Sequence, residues 1–166
     1  KFKASDTGRF ESMLGFEVAG GGVMMRGREF MLPCRGTCAY PQISQNPQSI
    51  YYRKIKTKAE GQIVSKQYIV SKNMYEFGPL LVGRSKEDYK EKYLESKDTF
   101  RITNSGLFDM HVDFNFLKDR DGAVFVVEPE FLDLPVDETA DITVYAFPEE
   151  EGEFDDKLIC NIKDNP

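Results

Sequence analysis

The stretch Phe108-Asp109-Met110-His111-Val112-Asp113-Phe114-Asn115-Phe116 decides the fold. Phe108, Met110, Val112, Phe114 and Phe116 fall at every second position, with Asp109, His111, Asp113 and Asn115 between them. A helix would scatter these apolar residues around its circumference, whereas a strand puts them all on one face. Working outward, Phe100 and Ile102 alternate with Thr99, Arg101 and Thr103, and Asn104-Ser105-Gly106 then supplies turn chemistry that predicts a hairpin into the 108–116 strand. Downstream, Ile142, Val144 and Ala146 oppose Thr143, Tyr145 and Phe147, while Leu158, Cys160 and Ile162 oppose Ile159, Asn161 and Lys163. These two runs predict a second hairpin around residues 148–152. Short half-buried strands at such spacing call for two antiparallel sheets closed over a common core, an all-β sandwich.

A partial repeat sets the domain organisation. Gly8-Arg9-Phe10-Glu11 matches Gly152-Glu153-Phe154-Asp155 at an offset of 144 residues, and Leu14, Phe16 and Val18 then fall on Leu158, Cys160 and Ile162. The same strand is expected twice. Residues 1–38 are therefore read as the closing strands of a preceding, incomplete domain, and residues 39–166 as a full sandwich domain. The boundary is expected near residues 36–41, where Gly36 and Tyr40-Pro41 extend the chain. The start at Lys1, with neither methionine nor signal pattern, reads as a cut inside a longer polypeptide.

Composition narrows the function classes. The net charge of −6 opposes general nucleic-acid binding, which needs a cationic surface to displace counterions from phosphates. The longest apolar run, residues 123–127, is strand-sized, so no membrane span is expected. Three cysteines do not make a disulfide framework, which favours a reducing compartment. Charge is unevenly distributed: residues 53–97 carry 11 Lys+Arg against 6 Asp+Glu, and residues 128–166 carry 2 against 13. Solvated faces of opposite sign account for this, and so does a pattern that steers docking neighbours.

No constellation for chemistry is found. His111 is the only histidine and lies on the polar face of a strand, so a hydrolase built on it with Asp109 or Asp113 is set aside. Cys34 and Cys38 stand four apart with only Cys160 and His111 to join them, too few for zinc at this spacing. Gly20-Gly21-Gly22 lacks the lysine and the strand-loop-helix context of a phosphate cradle and reads as a hairpin tip. No catalytic residue, cofactor or metal is expected. The one departure from strand periodicity is a charged insertion near residues 84–98, read as helix or long loop, with Tyr89 and Tyr93 on one face. Those tyrosines, together with the basic residues Arg53, Lys54, Lys56 and Lys58, are the candidate protein-binding residues.

The order of Phe77-Gly78-Pro79-Leu80-Leu81-Val82-Gly83-Arg84, Tyr89-Lys90 with Tyr93, Thr103-Asn104-Ser105, and Tyr145-Ala146-Phe147-Pro148 through to Ile162-Lys163-Asp164-Asn165-Pro166 resembles the repeats of the Hydin family. Leu32-Pro33-Cys34-Arg35-Gly36 resembles the closing strand of a related domain. Gly106 stands where many such repeats carry proline, and Tyr145 where some carry tryptophan. The resemblance implies an immunoglobulin-like sandwich of the ASH, MSP-like or PapD-like kind, in a scaffold of the ciliary central apparatus that serves cilium motility. Implied with it are the axoneme, cytoplasm and cytoskeleton as location, and adjacent domains of the same chain, central-pair microtubules (tubulin) and other central-apparatus proteins as partners. The competing function is a peptide-binding adaptor of the MSP or PapD kind in another ciliary or cytoplasmic protein.

Overall fold

A computed structural model describes residues 5–17, 29–84, 93–118 and 124–166. The chain divides into two compact units, Lys1–Tyr40 and Pro41–Pro166. The first is an antiparallel ribbon of β1 (Gly8–Glu17) and β2 (Glu29–Cys38), in register from Gly8 opposite Cys38 to Glu17 opposite Glu29. Strand alternation gives the ribbon two unlike faces. Phe10, Leu14, Phe16, Phe30, Leu32, Cys34 and Cys38 share one, where Phe16 and Phe30 stack at 5.6 Å. Arg9, Glu11 and Arg35 share the other with Met13, Met31 and Pro33, and Arg35 Nε lies 3.0 Å from Glu11. The apolar face is open: Leu14, Phe16 and Leu32 are half exposed.

The second unit holds two three-stranded antiparallel sheets. One has the order β6 (Lys97–Thr103), β10 (Thr139–Ala146), β8 (Phe125–Glu128); the other has the order β11 (Leu158–Ile162), β7 (Met110–Phe116), β9 (Phe131–Leu134). Phe100 and Ile102 from β6, Met110, Val112, Phe114 and Phe116 from β7, Val127, Leu134, Ile142 and Val144 form a single buried cluster. Each such side chain contributes roughly 1.5–3 kcal/mol on burial, which is why the two periodic runs on β6 and β7 hold the sheets together. The all-β sandwich expected from the sequence is thus present.

Its connections differ from expectation. Asn104-Ser105-Gly106 does not close a hairpin: β6 pairs with β10, and β7 with β11 and β9. Nor do β10 and β11 pair with each other, since they lie in opposite sheets. Both turns carry the chain across the core. The change from β8 to β9 is a third crossing, made at the cis peptide Glu128-Pro129. Phe108 lies before β7 and is exposed, and Tyr145 and Phe147 are buried although alternation put them outward. The repeat is strand in both copies only in its second half, because Gly152 to Asp155 is irregular and β11 begins at Leu158; Val18 lies outside the described residues.

Residues 41–51 line the outer edge of β6, through bridges Ile43–Asn104 and Tyr51–Phe100 and the Ser44 N–H donating to Thr103 O at 2.9 Å. Within them, Asn46 caps the single turn α1 (Pro47–Ile50), its side chain accepting from the Gln48 N–H at 3.0 Å, and Pro47 occupies the first helical turn, where no N–H is needed. A small third sheet follows: β3 (Lys54–Ile55) parallel to β4 (Gln67–Ile69), and β5 (Met74–Glu76) antiparallel to it. Tyr51 joins it to the sandwich, stacked on Tyr68 at 4.1 Å and edge-on to Phe100 at 5.2 Å. The charged insertion expected near residues 84–98 is described only at its ends. Leu94–Ser96 is a 3-10 turn and Lys97 already belongs to β6, while residues 85–92 lie outside the described residues.

Candidate interaction surfaces

The basic run on and around β3 is largely tied to the domain itself. Arg53 Nη2 lies 2.9 Å from Asp98 Oδ2, and the same carboxylate accepts a short hydrogen bond from the Tyr75 hydroxyl. The bond to Asp98 raises the Arg53 pKa, and burial raises that of Tyr75, so the guanidinium stays charged and the phenol neutral. Lys54 Nζ donates to Tyr51 O at 2.8 Å, and Lys58 Nζ pairs with Glu76 at 2.6 Å with both side chains about one-fifth exposed. Lys56 is exposed. Of the four basic candidates, then, three have partners inside the domain, Arg53 with about half of its side chain still exposed, and Lys56 faces solvent.

Tyr93 is half-buried under Arg84, whose guanidinium sits 4.1 Å from the ring centroid and also pairs with Glu95. Tyr89 lies outside the described residues. Tyr93 already has a cationic neighbour in Arg84.

His111 lies on the solvent side of β7, as alternation places it, and β9 brings Asp133 directly opposite. His111 Nδ1 donates to Asp133 Oδ1 at 2.7 Å, and Nε2 lies 3.4 Å from Asp113. The bond to Asp133, and then the charge of Asp113, raise the histidine pKa above 6.5. The two neighbouring acids stabilise the protonated imidazolium, so His111 forms a surface ion-pair cluster with Asp133 and Asp113. Among the described residues no group of three or more His, Cys, Asp or Glu side chains is arranged to hold a metal ion.

Sequence reasoning missed Asn104. It is 1 % exposed, donates through Nδ2 to Phe108 O and Leu134 O at 2.9 Å each, and accepts from the Gly106 N–H at 2.9 Å. Its backbone N–H donates to Glu138 O at 2.9 Å. One amide thus ties the β6–β7 crossing to the end of β9. The signal was present as an asparagine two residues before a glycine, but turn chemistry looks the same in a hairpin as in a crossing between sheets.

The class these features define is an antiparallel β-sandwich unit preceded by a two-stranded β-ribbon. No family model matches the chain. The chain is Hydin-like along its length: it is similar to the hydrocephalus-inducing protein homolog of Homo sapiens and to hydrocephalus-inducing protein of Mus musculus, at 31 % identity over 99 % of this chain in each case. It spans about 3 % of the length of these curated relatives.

Proposed function

We propose that this chain is a structural scaffold segment of a large ciliary protein of the axonemal central apparatus, serving cilium motility and performing no catalysis. On this reading residues 1–38 close one immunoglobulin-like domain and residues 39–166 form the next, of the ASH or MSP type. Each sandwich sets a unit of length, and weak contacts along the array add through effective concentration. The partners are neighbouring domains of the same chain, central-pair microtubules and other central-apparatus proteins. The observation that carries this is the similarity to hydrocephalus-inducing proteins, which runs through both structural units rather than stopping at either.

The test is a label fused to this segment in its parent protein and located in averaged density of intact axonemes. Label on the central apparatus is expected; label confined to the outer doublets or to the cell body would overturn the proposal. For the microtubule contact the informative substitution is Lys56→Glu, because reversing Arg53 or Lys58 also breaks an ion pair inside the domain. Weaker co-sedimentation with microtubules is expected, and unchanged co-sedimentation would remove the basic run as the contact.

A further inference from the structure

The sheet β11-β7-β9 is unfinished on one side. At the centre, β7 buries Met110, Val112, Phe114 and Phe116, each less than a tenth exposed. On β11 the corresponding Leu158, Cys160 and Ile162 pack on the same core but are only half-buried. The backbone is one-sided too. The Leu117 N–H donates to Lys157 O at 2.9 Å and the Lys163 N–H to His111 O at 3.0 Å, so the odd-numbered residues turn their polar groups toward β7. Groups in an antiparallel ladder alternate in direction, so the N–H groups of Leu158, Cys160 and Ile162 and the C=O groups of Leu158 and Cys160 point away from β7. The Ile162 C=O is taken by the Asn165 N–H at 3.2 Å. Among the described residues β11 has no strand partner but β7, whereas the comparable edge of β6 is lined by residues 41–51.

The first unit shows what such a strand pairs with. Leu14 and Phe16 of β1 occupy the positions of Leu158 and Cys160 in the sequence repeat, and opposite them in the ribbon stand Leu32 and Phe30 of β2. We infer that the free edge of β11 is a strand-acceptor site whose occupant is an antiparallel strand of the β2 type, supplied by the parent polypeptide. In the register of the ribbon, a leucine-like residue lies opposite Leu158 and an aromatic one opposite Cys160. Both side chains then fall on the core face and cover the half-buried residues of β11. Pro33, which has no N–H to give, falls opposite Lys157, one residue before the strand begins. This inference rests on reading β1–β2 as the counterpart of the end of the second unit.

The experiment extends the full chain at Pro166 by a short glycine-serine linker and a copy of residues 29–38, and follows amide exchange residue by residue by NMR. Tethering supplies a millimolar effective concentration, so weak pairing is still seen. The expected result is that the Leu158, Cys160 and Ile162 amides slow by at least about tenfold while Ile159 and Asn161, already bonded to β7, change little. N-methylating alternate residues of the same segment, supplied as a free peptide, should abolish the protection for one set of residues and not for the other. Unchanged exchange in the tethered chain, protection confined to another edge, or a β11-to-β11 dimer that the tethered strand does not displace would overturn the inference. None of these outcomes bears on where the axonemal label is found, so the two proposals fail separately.

Discussion

Asn104 has its hydrogen-bonding capacity spent on three different parts of the chain, and its replacement is the sharpest single-residue test of the fold. Asn104→Ala removes the hydrogen bonds to the Phe108 and Leu134 carbonyls and the acceptor of the buried Gly106 N–H. A loss of about 2–4 kcal/mol is expected, read as a lower urea midpoint with an unchanged slope. His111 gives a pH signature instead. Its folded pKa is raised above the ordinary 6.5, so its contribution to stability is complete below that value and fades as pH rises through the folded pKa. An NMR titration should place His111 above 6.5, and Asp133→Asn should bring it back down. Gly78 is constrained by space as well as by backbone: at φ +86° an added Cβ would sit 2.5 Å from the Val64 carbonyl oxygen. Gly78→Ala is expected to cost at least about 1–3 kcal/mol by thermal or chemical unfolding.

At the scale of elements, the periodic strands were legible in the sequence and their partners were not. Alternation over residues 110–116 and 100–102 marks the side chains that face a core, and the structure buries them. It cannot say which strand lies alongside, because a turn that closes a hairpin and one that crosses to the other sheet use the same residues. Hence the two expected hairpins were wrong while their strands were right. The small sheet of β3, β4 and β5 left no period at all, since strands of two or three residues are too short to show one. Of the candidate surface residues, the sequence displayed the positive charge of Arg53 and Lys58 but not the acids Asp98 and Glu76, distant in sequence, that hold them. The partial burial of β11 has its own measurable result. Burial pushes the Cys160 thiol up to about 11, whereas Cys34 is exposed on the ribbon. At pH 8.5 a chromogenic disulfide reagent should therefore modify Cys34 well before Cys160. Because the unfolded thiol ionises near 9.0, stability should also decline between there and pH 11.

For the whole molecule, the two units differ in what they can do alone. The second has a core of ten buried side chains, and the ribbon has two strands with one apolar face open. An isolated two-stranded ribbon is marginal in water. A fragment of residues 41–166 should keep a cooperative thermal transition by circular dichroism, and a fragment of residues 1–40 should show none. Within the second unit, no strand from β6 to β11 pairs with the one before or after it in sequence. On a ribosome this has a consequence of timing. The residues of β7 emerge first, yet the strand on one side of them is made more than 40 residues later. Until residue 162 clears the exit tunnel, β7 waits with a bare flank, open to any other strand of matching pattern that arrives first.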